Sequence, residues 1–326
     1  MNRRIASLLA VLGLLATTPA ALAQAPYPSR PIRLVVPYPA GGGTDVVARK
    51  VAEMASVRLG QPIVIDNKPG ANGSIGTGEV ARAAADGYTL AWAIPDSLIS
   101  VASLVKSPSY DARRDLTAIV RLVASPVAVM TSTDSDIKSV QDLLARGRAQ
   151  PGKLTYGSWG PGTLPHLLMA TIDPKDEGRF VQLPYRGQAP AIQDVVARQI
   201  QIGFAPPHIA AQYVQKGMAH VIAVVSDERS ALMPHVPTLA EQAVEGDLAR
   251  SRLWMGVVGP RGLPASVVDR LSTEFTAVVA SPDFKSFLSQ VGMAPYVAQS
   301  GDFSAQIGKE FVTTNSLIRK LGVVAE

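Results

Sequence analysis

Short apolar runs alternate with glycine-rich turns and helical stretches along this sequence, and the alternation constrains the fold more than any other feature. Residues 32–37 are an apolar run of the kind found in strands buried on both faces. The turn at 38–45 follows, and residues 46–59 then have the pattern of a helix. The same unit recurs over 63–85 and leads into another apolar run at 89–94. This order predicts a doubly wound α/β sheet.

The middle of the chain repeats the design. A length of 326 residues fits two domains at about 150 residues each. The apolar stretch 118–131 is long enough to cross between two lobes, and 252–259 is a candidate for a second crossing strand. Two crossings would make a hinge. We predict one lobe from residues 24–124 plus 250–326 and another from residues 125–249.

The N-terminal segment has the features of a secretory signal peptide. Arg3 and Arg4 supply a charged start, residues 5–16 are apolar, and Ala21-Leu22-Ala23 fits a cleavage site. An uncleaved anchor is the alternative, but the apolar run is well short of the ~20 residues that span a bilayer. We predict a signal peptide at 1–23, a mature start at Gln24 and export to the periplasm.

The composition excludes several classes of protein. With 47% hydrophobic and 17% charged residues, the chain is too apolar and too weakly charged to be disordered. It has no cysteine, and therefore no disulfide framework or thiolate zinc site. The net charge of +5 is not clustered in the way that nucleic-acid-binding proteins cluster lysine and arginine. We predict a monomer that is not membrane-inserted after cleavage and binds no nucleic acid, metal or cofactor.

Two glycine-rich loops precede predicted helices. In Gly41-Gly42-Gly43-Thr44-Asp45, glycines allow close approach of backbone N–H groups, and the helix start favours an anion. Asp45 is either a helix cap or a ligand contact, and its charge, which would repel an anion, favours the cap. The loop at 157–163 repeats the arrangement, with Ser158 and Thr163 as hydroxyl donors or caps. Facing each other across a cleft, the two loops would hold a small carboxylate.

Motifs along the whole chain together resemble one family. They include Pro39-Ala40-Gly41-Gly42-Gly43-Thr44-Asp45 and Asp86-Gly87-Tyr88-Thr89-Leu90. Further motifs lie at residues 27–37, 59–62, 67–71, 151–154, 166–167, 184–187 and 234–238. The chain is similar to the receptors of tripartite tricarboxylate transporters, the Bug-type, TctC-like periplasmic solute-binding proteins.

The resemblance implies a two-lobed, Venus-flytrap fold of the periplasmic-binding-protein type II, with each lobe a doubly wound sheet. It implies a receptor, not an enzyme, that captures a small organic anion in an interlobe cleft and delivers it to the subunits of a membrane permease. In this family the two glycine loops hold the carboxylate, partly through main-chain groups and water. The candidate ligand-binding residues here are Tyr38, Ala40, Gly41, Gly42, Gly43, Asp45, Asp96, Ser97, Ser158, Trp159, Gly162, Thr163, His166, Arg186, Ala205 and Pro206.

The sequence departs from the usual family pattern at three positions that bear on the ligand. Asp96 stands where many members have a small neutral turn, and in the cleft it would favour a cationic or hydrogen-bond-donor group on the ligand; otherwise it is a surface or capping residue. Ala205 stands where an aspartate is common. Arg186 stands where lysine is common, and either pairs a distal carboxylate bidentately or lies in solvent.

Two other functions stay open. One is a secreted α/β hydrolase, which the absence of H-E-x-x-H and G-x-S-x-G motifs disfavours. The other is a ligand-sensing protein that signals to a membrane kinase, which the sequence does not separate from a transport receptor. His166 is a polar wall of the cleft or a helix cap. Trp159 is the tryptophan to test for ligand contact, whereas Trp92 and Trp254 lie in strand runs and should pack in the core.

Overall fold

A computed structural model of the chain describes residues 27–104, 108–175, 179–320 and 322. The predicted signal peptide therefore lies outside the described residues. The strands in the described part are β1 (Ile32–Val36), β2 (Ile63–Asn67), β3 (Thr89–Ala93), β4 (Leu116–Ser125), β5 (Val127–Ser132), β6 (Leu154–Ser158), β7 (Phe180–Pro184), β8 (Ile202–Ala205), β9 (Ala219–Val225), β10 (Leu253–Pro260) and β11 (Ala294–Gln299).

Helices connect most of these strands. They are α1 (Gly43–Leu59), α2 (Ser74–Ala81), α3 (Val101–Leu104), α4 (Ala112–Asp115), α5 (Val140–Ala149), α6 (Leu164–Ile172), α7 (Gln188–Val196), α8 (Pro207–Gln215), α9 (Ala265–Ala280), α10 (Pro282–Gln290) and α11 (Ser300–Lys320). A π-helical turn at Asp96–Ser100 precedes α3, and 3₁₀ turns lie at Ala71–Gly73, Ala240–Gln242 and Asp247–Arg250.

The strands form two sheets. The first has the order β11-β4-β10-β3-β1-β2, in which β1 pairs in parallel with β2 and β3, whereas β10 runs antiparallel to β3 and β4. The second has the order β7-β6-β8-β5-β9, in which β6 is parallel to β7 and β8, and β5 is antiparallel to β8 and β9. The α/β class predicted from the strand–helix alternation is confirmed.

The chain passes between the two sheets twice. Only Pro126 separates β4 in the first sheet from β5 in the second, and a proline cannot donate a ladder hydrogen bond. The return runs through residues 226–252. The sequence placed the second crossing at 252–259, which is wrong, because β10 lies wholly inside the first sheet. Two adjacent crossings of this kind form a hinge between lobes.

The centre of the first sheet is buried on both faces. All eight residues of β10 are buried, including Trp254. Its indole packs edge-on against Phe303 of α11, with ring centroids 5.2 Å apart, and its Nε1 donates to Oε2 of Glu310 at 2.8 Å. Trp92 in β3 is fully buried as well. The prediction that these two tryptophans pack in the core is confirmed.

Candidate ligand-binding site

A buried carboxylate organises the first glycine loop. Asp45, the third residue of α1, is 2% exposed. Its Oδ2 accepts hydrogen bonds from Gly41 N and Arg49 Nε, both at 2.9 Å, and its Oδ1 accepts one from Asn67 Nδ2 at 2.8 Å. Burial acts to raise the pKa of Asp45, but these hydrogen bonds outweigh burial and hold the pKa below its usual value. Both carboxylate oxygens are thus occupied in fixing the loop.

Replacing Asp45 with alanine should destabilise the protein by about 2–3 kcal/mol, because Gly41 N–H and the Arg49 guanidinium lose a buried acceptor. Denaturant unfolding at neutral pH measures this change. Asp269→Ala on α9 is the matched control, since Asp269 is exposed and its loss should cost no more than about 0.5 kcal/mol. Equal effects of the two substitutions would contradict the anchoring role of Asp45.

Two other first-lobe segments meet the end of this loop. Tyr38 follows β1, and its hydroxyl is buried beside Ser97 without making a well-formed hydrogen bond. A Cβ placed on Gly73 would lie 3.0 Å from the Tyr38 hydroxyl and 2.9 Å from Cβ of Ser97, so the three residues are closely packed. Burial raises the pKa of Tyr38 far above its usual value, and the nearby carboxylate of Asp96 raises it further. Tyr38 therefore remains a neutral hydrogen-bond donor.

The second glycine loop is held by its own side chains. Ser158 Oγ accepts hydrogen bonds from Gly160 N at 3.2 Å and from Gln182 Nε2 at 2.8 Å. Thr163 is the residue before α6, and its hydroxyl donates to Gly160 O at 2.7 Å. His166, within α6, accepts a hydrogen bond at Nδ1 from Gly162 N at 2.9 Å. The side chains of Ser158, Thr163 and His166 therefore shape the loop in front of the helix.

Trp159 is the exception in the second loop. Its ring is half-buried against the hydrophobic core, and its Nε1 is buried without a hydrogen-bond partner in the described part of the chain. Leaving a buried donor unpaired costs about 1–3 kcal/mol. Trp159 and Tyr38 therefore each supply a donor that a ligand acceptor could satisfy, one from each lobe.

The two lobes touch at these loops. Asn72 Nδ2 in the first lobe donates to Pro161 O in the second at 3.2 Å. A Cβ on Gly43 at the start of α1 would lie 3.5 Å from Cγ of Pro206 at the start of α8. Asn72 was not among the residues predicted from the sequence, although it belongs to a glycine-rich loop. Its backbone φ of 54° is left-handed, a conformation that asparagine tolerates better than most residues.

Asp96 makes a second polar link between the lobes, at the start of α6. It is 4% exposed, and its Oδ1 accepts a hydrogen bond from Leu164 N at 3.3 Å. Burial raises the pKa of Asp96 to about 7, and the Leu164 bond offsets this only in part. Ser97 beside it is fully buried, and its hydroxyl donates to Ile94 O at 3.1 Å. Asp96 therefore lies between the lobes.

The remaining predicted residues are distributed around this contact. Gly42 precedes α1 as its N-cap residue. Ala205 and Pro206 are buried where β8 ends. Ala40 and Arg186 are exposed. The structure thus brings together Tyr38, Asp96, Ser97 and the second glycine loop, and leaves Arg186 on the surface.

A groove of about 1350 Å³ also opens between the lobes. Its walls are α6, α11 and the return segment around residues 242–254, and Asp96 and Leu164 lie among its lining residues. Within the described ranges, the structure contains no helix long and apolar enough to cross a membrane. The same residues contain no cluster of three or more histidine or acidic side chains that could hold a metal ion.

Comparisons with known proteins agree with this architecture. The profile of the family described as "Tripartite tricarboxylate transporter family receptor" matches residues 47–323. The chain is 34% identical over 320 residues to "UPF0065 protein in gbd 5'region" of Cupriavidus necator. The aligned residues cover 98% of this chain and 95% of the relative.

Solved structures agree in the same way. The structure of the periplasmic binding protein BugD is 30% identical, with a TM-score of 0.84, and covers 92% of this chain and 100% of that one. Rpa4515 of R. palustris, solved with adipate, is 27% identical, with a TM-score of 0.85 and the same coverage. The fold is thus that of a two-lobed solute-binding protein. The chain belongs to the tripartite tricarboxylate transporter receptor family, of the Bug-type, TctC-like kind, as its motifs predicted.

Proposed function

We propose that this chain is a periplasmic receptor that binds a small organic carboxylate between its lobes and delivers it to a tripartite tricarboxylate-type permease. The observation that carries the proposal is the meeting of two helix starts between the lobes, those of α1 and α8, where a Cβ on Gly43 would lie 3.5 Å from Cγ of Pro206, together with two buried donors that lack a partner, the Tyr38 hydroxyl and Trp159 Nε1. Helix starts and donors suit a carboxylate. The adipate in Rpa4515, a protein of similar fold, supports the same class of ligand.

The proposed mechanism is closure about the hinge. With the lobes apart, both glycine loops would be open to solvent. A ligand that bridges them stabilises the closed form, because only a ligand with different affinities for two forms can shift their equilibrium. In this proposal the closed receptor docks on the permease and is not an enzyme, so the ligand leaves unchanged.

The export route follows from the same proposal. The segment at 1–23 directs the chain across the inner membrane, and the mature protein begins at Gln24. The periplasmic binding protein BugD has the same fold, which supports this compartment.

Thermal unfolding in the presence of organic acids tests the proposed function. A carboxylate that binds between the lobes, present at 100 times its Kd, should stabilise the protein by about 2.7 kcal/mol. Adipate and shorter dicarboxylates form the test set, and the neutral diamides of the same length are the matched controls. A broad set of acids without effect would contradict carboxylate binding. Chemical conversion of a bound acid would instead indicate an enzyme.

A further inference from the structure

Asp96 is a buried carboxylate in an unusual electrostatic setting. Asp96 lies between the lobes and is 4% exposed. Among the described groups, only the hydrogen bond from Leu164 N lowers the pKa of Asp96. No cationic side chain of the described residues contributes to its stabilisation. A buried charge without a counter-charge is expensive. A positively charged or hydrogen-bond-donating group placed beside Asp96 would therefore stabilise its carboxylate.

The position of this carboxylate matters as much as its burial. The N–H of Leu164 is at the start of α6, where the helix favours a negative group. Asp96 already supplies that negative group from the opposite lobe. A second ionised carboxylate brought to the same place would meet a like charge in a poorly solvated setting. The neutral hydroxyl of Tyr38, close to Asp96, does not compensate that charge.

We propose that Asp96 selects the ligand by the group that is presented to it, and favours a carboxylate that carries an ammonium group over the plain dicarboxylate of the same length. This inference rests on the proposed function. The ligand's carboxylate would use the free donors, Tyr38 and Trp159, while its ammonium would pair with Asp96. Charge-assisted hydrogen bonds of this kind are about twice as strong as neutral ones.

The groove reaches Asp96 from one side. Asp96, Ser100 and Leu164 are among the residues that line one part of the groove of about 1350 Å³, whereas Tyr38 and Trp159 do not line it. The Oδ1 atom of Asp96 accepts the hydrogen bond from Leu164 N. The ammonium of the ligand would therefore lie on the groove side of Asp96, and its carboxylate on the side of the glycine loops.

Matched pairs of acids provide the test. Succinate and aspartate, glutarate and glutamate, and adipate and 2-aminoadipate differ within each pair by one amino group. Isothermal titration of the mature protein should show that the amino compound binds at least about tenfold more tightly in the pair that binds best. In Asp96→Asn, which keeps an oxygen for Leu164 N but loses the charge, that preference should fall at least about tenfold.

The control separates a local contact from the overall charge. Asp269→Asn makes the same charge change at an exposed residue of α9 that does not line the groove, and it should leave the preference unchanged. If Asp96→Asn fails to fold, Asp96→Ser replaces it with the same expectation.

Three outcomes would overturn the inference. One is an unchanged preference in Asp96→Asn, another is an equal change in Asp269→Asn, and the third is tighter binding of the plain dicarboxylates by the unaltered protein. A protein that binds neither member of any pair would contradict the proposed function itself. The two failures are therefore distinguishable.

Discussion

Replacing Gly160 with alanine should weaken ligand binding at least about 100-fold, or by ~2.7 kcal/mol. A Cβ at Gly160 would lie 2.6 Å from Oδ1 of Asn72 in the other lobe, so the Asn72 side chain would have to leave the position from which it donates to Pro161 O across the lobes. If only the closed form holds the ligand on both sides, the apparent affinity falls with the fraction of protein that can close. Isothermal titration with the best ligand measures the loss.

Backbone strain must be separated from this clash. The φ of Gly160 is +126°, which alanine rarely adopts, so the substitution also strains the loop. Gly246→Ala in the same lobe is the matched control, since Gly246 has a φ of +102° and its added Cβ would meet nothing closer than 3.8 Å. Gly246→Ala should lower the melting temperature and leave the affinity nearly unchanged.

A second substitution should restore part of the lost affinity. Asn72→Gly removes the side chain that the new Cβ meets, and glycine accepts the left-handed backbone at that position. The double variant should therefore bind more tightly than Gly160→Ala alone. Equal losses in Gly160→Ala and Gly246→Ala, with no recovery in the double variant, would show that strain is the cause and not blocked closure.

Local patterns explain which parts of the fold the sequence predicted. The runs that became β1, β2 and β3 are short, apolar and bounded by glycine turns, so their burial is visible in the residues themselves. The strand β11 was missed because it lies at the sheet edge, is largely exposed and contains Pro295. An edge strand lacks the continuous apolar run that marks a central one.

The candidate site also has parts that the sequence predicted and parts that it did not. The two glycine loops and the anchoring position of Asp45 follow from local chemistry, because loop and helix are adjacent in the chain. The contacts from Asp96 to Leu164 and from Asn72 to Pro161 join residues 68 and 89 positions apart. They depend on how one lobe rests on the other, and no spacing in the sequence encodes that. Arg186, predicted either to bind a distal carboxylate or to lie in solvent, is exposed.

Asp96 should make the stability of the unliganded protein fall as the pH rises from about 4 to about 7. Burial raises the pKa of Asp96 from 3.8 to about 7 in the folded form. Between these two values the folded protein holds a proton that the unfolded chain releases, so raising the pH favours unfolding. The full difference is on the order of 4 kcal/mol, at 1.36 kcal/mol per pKa unit. Opening of the lobes would hydrate Asp96, so acid should favour the closed form as well.

The difference between the unaltered protein and Asp96→Asn isolates this effect. Other groups titrate in the same range, including His208, whose pKa burial lowers, but they are common to both proteins. Asn resembles protonated Asp, because it keeps an acceptor for Leu164 N and carries no charge. The two proteins should therefore be similarly stable at about pH 4, and the variant should be the more stable by up to about 4 kcal/mol at pH 8. Denaturant unfolding across this range measures the difference. A difference that does not depend on pH would mean that Asp96 is solvated in the folded protein and does not lie in a dry contact between the lobes.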